Sequence, residues 1–190
     1  MNIGKIRRLH LTACSFLFSC CLHITRARAR ISPHCVPQGS DATRTMASTS
    51  PAHIKTRFLV LSDTHNAKPS DASGVAFCSP LPKADVLLHC GDLTMVGHLH
   101  EYDAALAMLS SIDAELKLVI AGNHDISLDD EYYARKGHYM HRLKEPDVQL
   151  PKRARDLWTG ERAARAGVTY LDEGVHSFTL KSGARLRVRR

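Results

Sequence analysis

Acidic residues are missing from the first forty positions; Asp41 is the earliest in the 190-residue chain. Cysteine is sparse beyond that stretch. Cys14, Cys20, Cys21 and Cys35 precede it, only Cys78 and Cys90 follow, and no C-x-x-C occurs. A zinc knuckle, a dithiol redox motif and a disulfide framework are therefore all unsupported. No apolar run reaches the roughly 20 residues that a membrane-spanning helix needs. The longest candidate, Leu9 to Ile24, is interrupted by His10, Thr12, Ser15, Ser19 and His23. No internal repeat is visible.

The charge that is present is unevenly placed. Residues 1–45 carry Lys5, Arg7, Arg8, Arg26, Arg28, Arg30 and Arg44 against Asp41 alone, so nearly all of the net +7 lies there. The remainder is close to neutral. The high isoelectric point thus belongs to the leader, and neither a nucleic-acid partner nor a membrane partner is expected. An acid-free, Arg- and Ser-rich start fits a mitochondrial transit peptide, a weak signal peptide, or an extension foreign to the natural protein. Met46 would make an ordinary start. The location is cytoplasmic if the chain begins there and mitochondrial if the leader is a genuine transit peptide. The expected organisation is a disordered leader over 1–45, a linker over 46–56 and a domain over 57–190.

The domain reads as α/β. Arg57–Ser62, Asp85–Cys90 and Leu116–Ala121 are short apolar runs of the kind that form buried parallel strands. Between the second and third, Leu99, Tyr102, Ala105, Leu106 and Leu109 recur at helical spacing. Strand, helix, strand in that order predicts a βαβ unit and a partly parallel sheet. A short helix is expected over 129–136, a loop between Pro146 and Pro151, and a helix over 152–166. Strands are expected over 168–171, 175–180 and 184–188, the last two joined by a hairpin turn at Lys181-Ser-Gly183.

Each of the three strong strands runs straight into metal-type ligands: Asp63-Thr-His65, Gly91-Asp92 and Gly122-Asn-His-Asp125. Parallel strands share one carboxyl edge, so three such clusters would converge on one crevice. Carboxylate, imidazole and amide oxygen suit hard or borderline divalent cations. Asp63 and His65 are alternate residues leaving a strand, and a slight twist turns both toward one ion. Asp92 follows a glycine that lets the backbone come close, and a carboxylate there could bridge two ions. Asn123 offers a neutral oxygen, and His124 is free to act as an acid. The bland alternative is that these residues only cap strand ends and turns.

In this order and spacing, the three motifs resemble the first three of the calcineurin-like metallophosphoesterases. Phe58-Leu-Val-Leu-Ser-Asp-Thr-His-Asn66 and His89-Cys-Gly-Asp-Leu-Thr94 are most similar to the small metallophosphoesterase-domain proteins that include fungal members. The resemblance implies the family's fold, layered β-sheets flanked by helices. It also implies a two-metal phosphoester hydrolase, a phosphodiesterase before a protein phosphatase, acting on a small-molecule phosphoester. The ions (manganese, iron or zinc) would be held by Asp63, His65, Asp92 and Asn123. A hydroxide bridging them would attack phosphorus, and His124, helped by Asp125, would protonate the leaving alkoxide. The family completes its site with a lone His and a Gly-His-x-His, and neither follows here. That marks the domain as incomplete at its C-terminus and its activity as doubtful; a catalytically inactive binding module, or a non-functional fragment, is the alternative. Among the other histidines, His138, His141 and His176 read as structural or surface residues. His98 and His100 read as solvent-facing, and His89 as a satisfied strand residue.

Overall fold

A computed structural model of the chain describes residues 23–24, 54–70, 77 and 79–190. The rest of the expected leader, the start of the linker and residues 71–76 and 78 lie outside the described residues. His23–Ile24 (β1) pairs antiparallel with the last strand, so this much of the leader takes part in a sheet.

Four strands form a parallel sheet in the order β2-β3-β4-β5: Phe58–Leu61, Ala84–His89, Ala114–Val119 and Val168–Tyr170. The helix α1 (Leu99–Ser110) connects β3 to β4, as the βαβ reading requires. A second, antiparallel sheet holds β1, β7 (Arg185–Arg189) and β6 (Val175–Thr179). Side chains alternate across a strand, so each face of the parallel sheet carries its own core. Leu87 and Val119 pack with Tyr102, Leu109 and Trp158 of the helical layer. Val86, Leu88, Leu118 and Ile120 pack with Leu180, Leu186 and Val188 of the hairpin. The result is helices, sheet and hairpin in three layers.

Three local departures have physical causes. β2 was expected to be buried throughout, but it is an edge strand. Its inner residues Leu59 and Leu61 are half-buried, while Phe58 and Val60 are each 39% exposed on the hairpin side. The expected single helix over 152–166 is two. α4 (Leu150–Thr159) and α5 (Glu161–Arg165) are separated at Gly160, whose backbone is extended. Pro151 sits in the first turn of α4, where its missing N–H is no loss, rather than closing a loop. The short helix near 129–136 is longer and irregular: α2 (Asp130–Tyr132), a π-helical turn (Tyr133–Gly137) and α3 (His138–Met140).

One polar residue inside the sheet is accounted for by the helices around it. Lys117 on β4 is buried, and its ammonium donates to the carbonyls of Leu109, Ser110 and Ala166. It thereby caps the C-terminal ends of α1 and α5, where helix dipoles favour a cation.

Candidate metal centre

The three strand-end loops meet. The 63–66 loop donates backbone hydrogen bonds to the 91–93 loop at three positions: Asp63 to Gly91 (3.1 Å), His65 to Asp92 (3.0 Å) and Asn66 to Leu93 (2.9 Å). The 91–92 turn in turn rests on the 121–122 turn. A Cβ added at Gly91, where φ is +99°, would fall 2.7 Å from the Gly122 backbone. A Cβ added at Gly122 would collide with the Asp92 nitrogen and carboxylate. Only glycine at both positions lets the two turns touch. Asp63, His65, Asn66 and Asp92 all have φ between 43° and 63°, a region that non-glycine residues enter only when their surroundings hold them there.

Within this junction, ligand atoms of His65, Asp92 and His124 lie within 4.8 Å of one another. The two imidazoles meet edge to face, with centroids 4.5 Å apart. Asp92 is only 8% exposed, and its Oδ1 accepts the His124 backbone N–H at 2.9 Å. His65 Nδ1 lies 2.9 Å from the Thr94 carbonyl, and His124 Nδ1 lies 2.7 Å from the Met95 carbonyl. A carbonyl can only accept, so each Nδ1 carries the proton and each Nε2 is left with its lone pair. A backbone carbonyl on the far ring nitrogen is the usual outer support of a metal-binding histidine. The donors present, two imidazoles and a carboxylate held by fixed backbone, therefore fit a borderline divalent cation.

Below the cluster lies His89, almost fully buried, with Nε2 2.9 Å from the Thr64 hydroxyl. Its Nδ1 has no partner among the described residues. Burial pushes its pKa down to about 4 against a small opposing pull from Asp63, so it is neutral near pH 7.

The profile of the calcineurin-like phosphoesterases matches residues 56–178, well over half of the chain. The chain belongs to that family. A probable rhamnogalacturonate lyase C of Emericella nidulans is 37% identical over 101 residues, 53% of this chain and 8% of that protein. Metallophosphoesterase domain-containing protein 1 of Homo sapiens is 38% identical over 79 residues, 42% of this chain and 22% of the relative. A UPF0046 protein of Caenorhabditis elegans is 36% identical over 76 residues, 40% of this chain and 25% of that protein. The matched stretches thus span a quarter or less of the length of these relatives. The family is one of metal-dependent phosphoester hydrolases, and the three-layer α/β architecture is the one it implies.

Of the expected ligands in this phosphoesterase domain, His65 and Asp92 are brought together and His124 joins them. Asp63 lies two residues before His65 on the same loop, exposed and outside that cluster. Asn123 is also exposed, between Gly122 and His124. Asp125 departs from its expected role beside His124. It is 1% exposed, and its carboxylate accepts from the backbone N–H groups of Leu93, Thr94 and Gly122 and from the Thr94 hydroxyl. The His124 ring is held by Met95 instead. Burial raises the Asp125 pKa and the four donors pull against that rise. Asp125 therefore clamps the 92–94 loop to the 122–125 loop.

His141, expected at the surface, is 8% exposed; its Nε2 lies 2.7 Å from the Val96 carbonyl and its Nδ1 3.2 Å from the Tyr133 hydroxyl. His98 is half-buried and stacks on it, with centroids 4.0 Å apart. Thr94 and Glu101 were not singled out in the sequence, yet both hold this loop. For Glu101 a signal existed: three residues after His98 at the start of α1, it occupies the acidic position of a capping box.

Proposed function

We propose that this crevice binds divalent cations and hydrolyses a small-molecule phosphoester, a phosphodiester before a phosphoprotein. The convergence of His65, Asp92 and His124 at the carboxyl ends of three parallel strands carries the reading. Asp63, His65, Asp92 and Asn123 would hold two ions of manganese, iron or zinc. Bound cations supply Lewis acidity toward the phosphoryl oxygens and toward water.

The chain's own groups do the rest. His124 gives its Nε2 proton to the leaving alkoxide. The Met95 carbonyl on Nδ1 suits that step, because it holds the ring in place and keeps the Nδ1–H tautomer once the Nε2 proton has left. Asp92 is fixed before substrate arrives, so little reorganisation accompanies binding. Among the described residues no fourth His, Cys, Asp or Glu joins the cluster. The second ion accordingly binds more weakly than the first.

Calorimetry with manganese, paired with hydrolysis of bis(p-nitrophenyl) phosphate, tests this. Manganese binding and metal-dependent turnover, both lost in Asp92→Asn, are expected. Turnover that survives Asp92→Asn would refute the assignment.

A further inference from the structure

Three consecutive carbonyls of one loop accept from three histidines: Thr94 from His65, Met95 from His124 and Val96 from His141. Such a rail orients rings only if its peptide planes cannot rotate. The amide side shows why they do not. Leu93 and Thr94 donate to Asp125, Met95 and Val96 to Glu101, Gly97 to the Thr94 hydroxyl and His98 to Glu101. Six successive N–H groups are thus held by three side chains, a full accounting of this segment's donors.

Glu101 is the member that reaches the Met95 peptide. One carboxylate oxygen takes Met95 N at 3.2 Å; the other takes Val96 N at 3.2 Å and His98 N at 2.8 Å. Its own carbonyl takes the Asn66 side-chain amide at 2.6 Å, tying the same residue to the first site loop. A plain helix cap needs the bond to His98 alone. The bonds to Met95 and Val96 exceed that need: the Val96 N–H shares a peptide plane with the Met95 carbonyl on His124, and the Met95 N–H with the Thr94 carbonyl on His65.

We propose that Glu101 is a positioning residue for His65 and His124, acting through the Thr94–Met95 and Met95–Val96 peptides to keep each proton on Nδ1 and each Nε2 atom turned into the crevice. Its consequence for catalysis rests on the metallophosphoesterase reading of the crevice; its consequence for the imidazoles does not. The third ring is braced otherwise: the Val96 carbonyl that takes His141 shares its peptide plane with the Gly97 N–H, which the Thr94 hydroxyl holds.

Ring nitrogen chemical shifts of the full, metal-free chain, labelled with 15N-histidine and recorded at pH 8, report the tautomers directly. In the unaltered chain His65 and His124 should both be Nδ1–H. Finding His124 as Nε2–H overturns the proposal without any variant. Glu101→Gln then separates positioning from capping, since an amide offers one accepting oxygen and presents an NH2 to the remaining N–H groups. His65 and His124 should both become tautomer mixtures while His141 keeps Nε2–H, and manganese affinity should fall about tenfold through His65. A variant with a lower melting temperature but unchanged His65 and His124 tautomers and unchanged affinity would reduce Glu101 to a helix cap. If the unaltered chain shows both Nδ1–H rings and no manganese binding, the hydrolase reading fails and the orientation of His124 by Met95 stands.

Discussion

Acid should loosen the floor of the crevice through His89. Its folded pKa is about 4 and its unfolded value 6.5. The unfolded chain therefore binds the extra proton first as pH falls, so the contribution to stability is complete above 6.5 and is lost between 6.5 and 4. The cause is local. The ring is buried, its Nε2 faces Thr64, and no acceptor among the described residues awaits a proton at Nδ1. Taking the two pKa values together, lowering the pH from 7 to 4.5 removes about 2 kcal/mol through this residue. For a chain of this size that is roughly 4–8 °C in melting temperature. Other groups titrate in the same range, so the measurement is a double difference: urea denaturation at both pH values for the unaltered chain and for His89→Gln. Glutamine does not ionise and can still meet the Thr64 hydroxyl. The variant should lose about 2 kcal/mol less than the parent on acidification. Equal losses in the two proteins would show that His89 is not protonated preferentially on unfolding, and the argument would fail. Since Thr64 lies between Asp63 and His65, the same protonation should disturb the first ligand loop.

Two further outcomes follow from packing. Gly122→Ala forces a methyl group into the Asp92 backbone and carboxylate; overpacking together with loss of the His124 N–H bond should cost about 3–5 kcal/mol. Thermal denaturation should show a drop near ~10 °C, with manganese binding lost in calorimetry, and a variant that melts and binds like the parent would contradict the close contact of the two turns. Trp158→Ala removes a buried ring that packs edge to face on Tyr102 and should cost about 3–5 kcal/mol; circular dichroism is the readout, because the chain has no other tryptophan.

The central architecture was legible because it depends on pattern. Apolar runs ending in Asp-Thr-His, Gly-Asp and Gly-Asn-His-Asp fix three strands and the edge at which they terminate, and His65, Asp92 and His124 do meet there. Exposure of β2 was not legible. Phe58-Leu-Val-Leu is apolar at every position, and only its place at the sheet edge leaves Phe58 and Val60 uncovered on the hairpin side. The burial of His141 was hidden by the π-helical turn before it, which breaks the 3.6-residue phase used to assign faces. Asp125 was recognised as important but assigned to the wrong neighbour. Sequence marks a carboxylate beside a histidine; it does not reveal that the carboxylate turns back onto amides thirty residues earlier. The bonds from Glu101 to Met95 and Val96 escaped for the same reason, since these partners are backbone groups that every residue possesses.

The contact between Gly91 and Gly122 divides the crevice into parts with unequal freedom to diverge. Beneath, a single methyl group is already too much, and the left-handed residues beside it are pinned by neighbouring loops. Around the mouth, the Met95 side chain is exposed and carries no such restriction from packing. Substitution has room at that outer margin, while the glycine floor is closed to it.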